Sequence, residues 1–95
     1  MINYQLKLPD DFEEYAWEVE SKGWFQALAE FDGVRYQITF YDQARLTQDI
    51  DDELEDEPIF FESNLLVLES VDRSHMEKAI EYLANSGKYK GMMQE

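Results

Sequence analysis

Seven carboxylates crowd the nine residues Asp49-Ile50-Asp51-Asp52-Glu53-Leu54-Glu55-Asp56-Glu57. That density suits three kinds of chemistry: holding a cation, steering a basic partner, or solvating a charged face. Asp49, Asp51 and Glu53 alternate as calcium-loop ligands do. The sixth loop position, which needs glycine, is Leu54, and the twelfth, which needs a bidentate Glu, is Phe60. An EF-hand is excluded, no metal or cofactor is assigned, and only loose Mg²⁺ or Ca²⁺ binding stays open. On a helix, Asp51 and Glu55 lie one turn apart, as do Asp52 and Asp56. Such like-charge pairs each oppose a helix by about 0.2–0.5 kcal/mol. Glu55, Asp56 and Glu57 also crowd the negative end of the helix dipole. The run works against the stability of its own helix, which favours a role outside the fold.

His75 is the single histidine, so one chain cannot build a His₂ or His₃ metal centre. Asp72, Ser74 and His75 have the letters of nucleophilic catalysis, but all fall on one turn, whereas a triad is assembled from separate elements. Capping is the better account of Asp72 and Ser74. No glycine-rich phosphate loop occurs, and a chain of this size rarely makes the cleft that paired acid–base carboxylates require. The protein is expected not to be an enzyme. Exposed aromatics are the remaining candidates, because Trp and Tyr anchor interfaces. Trp17 falls off the apolar stripe of its helix, and Tyr41 lies with Trp24 and Leu28 on the outer face of a hairpin.

The chain has 95 residues, 44% of them apolar, which bounds it to one domain with one core. Its 22 Asp and Glu against 8 Lys and Arg give a formal charge of −14. Nucleic acid and anionic membranes are therefore not expected partners. There are no cysteines, no apolar leader and no apolar run long enough to span a bilayer, so a cytoplasmic location is expected.

These residues need elements to position them. Ile2, Tyr4, Leu6 and Leu8 alternate with polar residues as a half-buried strand that Pro9 ends. Asp10 with Glu13 forms a capping box for a helix whose face is Phe12, Tyr15, Ala16 and Val19, closed at Gly23. Asp32-Gly33 between β-rich runs predicts a type I′ hairpin. Counting outward pairs Phe31 with Val34, Ala29 with Tyr36, Ala27 with Ile38 and Phe25 with Phe40 on one wholly apolar face. Leu46, Ile50 and Leu54 mark the acidic helix, about Gln43 to Asp56, and Pro58 stops it. Ile59–Phe61 is read as the start of a strand, Asn64 as a kink, and Leu65–Leu68 as a strand buried on both faces. A last helix carries Met76, Ala79, Ile80 and Leu83 inward and ends near Gly87, leaving 88–95 as a frayed tail.

The first six elements, over residues 2–69, resemble the βαββαβ plan of ferredoxin-like domains. That resemblance implies an α+β fold: an antiparallel sheet with two helices on one face, here with an extra C-terminal helix. It implies no function. In that plan Leu66 and Leu68 turn to the helix-free face, which the last helix or a second protomer must cover. The expected function is a small acidic binding module, of the adaptor, immunity-protein, inhibitor or nucleic-acid-mimic kind, docking a basic protein surface. Asp49, Asp51, Asp52, Glu55, Asp56 and Glu57 steer the partner, with Trp17 or Tyr41 as anchor and Asp10, Asp11 and Glu14 as a second acidic edge. The alternative is a ligand- or divalent-metal-sensing domain, a homodimer through the open sheet face around Leu28, Tyr41, Leu66 and Leu68.

Overall fold

In the computed structural model, which describes residues 2–95, the central hairpin forms as its turn chemistry dictates. Asp32 and Gly33 both take positive φ, 54° and 84°, and join β2 (Trp24–Phe31) to β3 (Val34–Asp42). The register is the one counted from the turn, from Phe31 opposite Val34 to Trp24 opposite Tyr41. The first strand, β1 (Tyr4–Lys7), pairs antiparallel with β2. Between them runs α1 (Phe12–Lys22), closed by Gly23 in the left-handed region with its N–H on the Val19 carbonyl. The expected capping box does not form. The helix starts behind Asp11 without a side-chain cap, and Glu13 turns away to the Arg73 guanidinium.

After β3 the chain departs from the ferredoxin-like plan. Helix α2 (Gln43–Asp56) has the expected bounds, but the strand it delivers, β4 (Leu65–Leu68), lies beside β3 and parallel to it. The sheet order is β1-β2-β3-β4 with mixed pairing, not the interleaved antiparallel order of that plan. The cause is local. A helical crossover returns the chain to the same end of the sheet, and the free edge of β3 accepts the next strand. The result is an α+β fold with a four-stranded mixed sheet and three helices. Among the described residues, no helix is long and apolar enough to cross a membrane.

The last helix, α3 (Arg73–Ser86), follows β4 behind an Asp72 cap whose carboxylate accepts the His75 backbone N–H at 2.8 Å. Helices α1 and α3 cover the apolar hairpin face, so Phe12, Phe31, Ile38, Phe40, Met76 and Ile80 form the centre of the core. Leu66 is opposite Phe40 and therefore joins this core with Leu68; neither lies on the open face as the sequence reading held. Leu65 and Val67 face the other way, opposite Thr39 and Tyr41, and Val67 is 52% exposed, so β4 is not buried on both faces. The segment expected to fray is packed. Lys88–Gly91 form a 3₁₀ turn whose buried Tyr89 stacks on Phe31, with ring centroids 4.9 Å apart. Beyond it, Asn64 donates from its amide to the Met93 carbonyl at 2.8 Å and accepts the Met93 N–H at 2.9 Å. Asn64 holds this clasp at a φ of 50°, so the expected kink is real.

Candidate functional site

Helix α2 is fastened at one end and bare at the other. Its N-cap, Asp42, accepts the Arg45 backbone N–H at 2.8 Å. Arg45 also donates to the Lys22 carbonyl at 3.2 Å and to Asp49 at 2.9 Å, tying the first turns to the end of α1. Asp49 accepts a second hydrogen bond, 2.8 Å long, from the Tyr41 hydroxyl. Leu46 and Ile50 are half-buried beside these contacts, whereas Leu54, two turns further on than Leu46, is exposed.

Two residues of the predicted site are thereby reassigned. Tyr41 is only 4% exposed, against Phe60 and under Asp49, and cannot serve as a surface anchor. Burial first, and then the Asp49 hydrogen bond and charge, push its phenol up to about 12. Asp49 is a structural carboxylate and, among the described residues, the one member of the acidic run with a cationic partner. This pairing was not legible in the run itself, because it depends on β3 bringing Tyr41 under the second turn of α2.

The other carboxylates behave as a group. Asp51, Asp52, Glu53, Glu55, Asp56 and Glu57 are all exposed, and none forms an ion pair among the described residues. Immediately after them come Ile59, 62% exposed, and Phe61, 73% exposed. No strand forms there; Pro58 ends the helix and the segment crosses to β4 as irregular chain. Large apolar side chains left in water beside concentrated negative charge are the outcome the sequence reading missed. The signal was present: an apolar triplet between Glu57 and Glu62, too short for a strand and bounded by proline. Leu54, Ile59 and Phe61 are exposed beside the acidic run, whereas Tyr41 is buried.

Trp17 is 68% exposed, but it belongs to α1, on the other face of the sheet from Tyr41 and α2. It stands on the helix of Glu14 and Glu18, just after the exposed Asp10 and Asp11. The second acidic edge and the tryptophan therefore go together, apart from α2. His75 is half-buried with Nδ1 2.8 Å from Asp72 Oδ1. Burial alone would raise the Asp72 carboxyl; the hydrogen bonds from the His75 backbone and ring outweigh it and hold the group below its usual value. Both atoms are spent on the helix cap. Among the described residues, no three His, Asp or Glu side chains converge as metal donors.

Comparison of the chain with protein-family models, curated proteins and solved structures gives no match.

Proposed function

We propose that the protein is a non-enzymatic binding module that docks a basic protein surface through the free half of α2 and the Pro58–Phe61 segment. The observation that carries this reading is the adjacency of six unpaired carboxylates to exposed Leu54, Ile59 and Phe61. Charge raises the encounter rate, and a buried apolar side chain gives the complex its lifetime. The partner's matching face is a Lys- or Arg-rich surface beside an apolar depression. An adaptor or an inhibitor of a basic protein works in this way.

The test is capture of partners on the immobilised protein, with washes of rising salt. Wild type is expected to keep one basic protein at moderate salt. A variant carrying Asp51→Asn, Asp52→Asn, Glu55→Gln and Asp56→Asn loses it, and so does Phe61→Ser. A partner retained equally by all three proteins would contradict the assignment, as would a mixture of basic proteins that elute together.

A further inference from the structure

A second unassigned surface lies at the β4 edge. This strand ends the sheet, so one of its sides has no neighbour. The Thr39 N–H donates to the Asn64 carbonyl at 3.1 Å, which sets the phase of the β3–β4 ladder. Backbone polar groups of successive strand residues point to alternate sides. Leu66 and Leu68 therefore bond towards β3, and Leu65 and Val67 turn their N–H and C=O outward. No backbone group among the described residues meets them. Natural edge strands are normally blunted by lysine, proline, a bulge or a covering loop. Here the edge reads Leu-Leu-Val-Leu, with no charge at all.

Between this edge and α3 opens a groove of ≈ 440 Å³, with Leu66, Leu68 and Ala79 in its wall and Lys78, Tyr82 and Lys88 along it. Of the eight Lys and Arg residues, Lys7, Arg35, Arg45 and Arg73 form ion pairs. The other four are Lys22, Lys78, Lys88 and Lys90, and two of those line this groove. Lys88 is held there by donating to the Tyr82 hydroxyl at 2.8 Å. Helix α3 also sorts its charges, since Glu77 and Glu81 face the cleft beside β1 on its other flank.

We propose that the β4 edge takes up an extended peptide as a fifth strand, its apolar side chains in the groove and its acidic side chains against Lys78 and Lys88. Main-chain hydrogen bonds to Leu65 and Val67 give affinity, and the groove gives selectivity. A second copy of this chain fits less well. Pairing β4 with its own copy would bring both sets of groove lysines together at close range. A docked acidic peptide meets the two lysines at close range. The carboxylates elsewhere on the molecule are screened over about 8 Å at physiological ionic strength. This surface is separate from the acidic end of α2, and either assignment can fail alone.

The test uses the isotope-labelled full chain and a capped synthetic peptide whose every second, groove-facing residue is valine and glutamate in turn, with threonine between them, and a lysine-for-glutamate peptide as control. Saturable amide shifts at Leu65 and Val67 are expected with the acidic peptide, and weaker ones with the control. Val67→Pro removes an outward N–H without touching the β3 ladder, a position where an edge strand tolerates proline. It should weaken binding by about tenfold or more, as the loss of a buried hydrogen bond does. Val67→Glu, which sets a charge at the edge that repels an acidic peptide, is the second variant should the proline disturb folding. The double variant Lys78→Glu with Lys88→Glu should weaken binding and reverse the preference between the peptides. Absence of saturable shifts, or unchanged affinity in the Val67 variants, would overturn the proposal. Shifts at Leu65 and Val67 that follow protein concentration without peptide would also overturn it and give the edge to a second copy.

Discussion

A carboxylate's neighbours decide whether it serves the fold or burdens it. Asp49 and Asp52 lie less than one turn apart on α2, yet only Asp49 has Tyr41 and Arg45 on its oxygens. The Tyr41–Asp49 bond leaves a signature in alkali. The phenol titrates near 10 when unfolded and at about 12 in the folded protein. A folded-state value raised in this way stabilises fully below pH 10, and that stabilisation disappears as pH rises from 10 to 12. Tyr41→Phe removes the hydroxyl and should cost about 1.5–3 kcal/mol near neutrality, the usual worth of a hydrogen bond to a charged group. Urea unfolding of both proteins should show their difference shrinking across that alkaline window. A difference independent of pH would mean that the hydroxyl does not support α2.

At the scale of elements, the parts legible in the sequence are those fixed by neighbours close along the chain. Asp32-Gly33 dictated both the turn and the register of β2 with β3. Leu46, Ile50 and Leu54 marked α2, and Gly23 and Gly87 closed their helices in the left-handed region. What failed was the placement of β4 and the fate of residues 88–95. Each depends on a distant partner: β3's free edge in the first case, Phe31 and Asn64 in the second. The candidate site was half legible for the same reason. The acidic run announced itself, but its division into a fastened Asp49 and six free carboxylates did not. Gly23 shows how tightly the fastened end is built. Its φ is +73°, and a Cβ there would press on the Asp42 carboxylate that caps α2. A residue other than glycine in the left-handed region costs about 1–2 kcal/mol, and loss of an N-cap about 0.5–2 kcal/mol more. Gly23→Ala should therefore lower stability by about 2 kcal/mol or more in urea unfolding. Alanine at position 87, which has nothing within 4 Å of its Cβ, should cost only the backbone share. Equal losses at the two positions would contradict the contact with Asp42.

Across the whole molecule, 22 acidic residues oppose 8 basic ones. Apart from the part-buried Arg45–Asp49 and His75–Asp72 pairs, the ion pairs among the described residues lie at the surface, where such pairs contribute little. Self-repulsion is the larger effect, and salt relieves it. Raising NaCl from about 0.02 M to about 0.5 M, over which the screening length shortens severalfold, should raise the melting temperature. A falling melting temperature would mean that the ion pairs outweigh the repulsion. The same imbalance makes the acidic end of α2 a cost to the folded chain, and the proposed docking role rests on that cost and on the exposed Leu54, Ile59 and Phe61 beside it. The most direct measurement is the melting temperature, at low salt, of the variant with Asp51→Asn, Asp52→Asn, Glu55→Gln and Asp56→Asn, beside that of Asp49→Asn. If the free carboxylates serve an interface, the fourfold variant melts at or above wild type and Asp49→Asn melts below it. A fall of several degrees in the fourfold variant would show that those carboxylates hold the fold together and would contradict the docking surface.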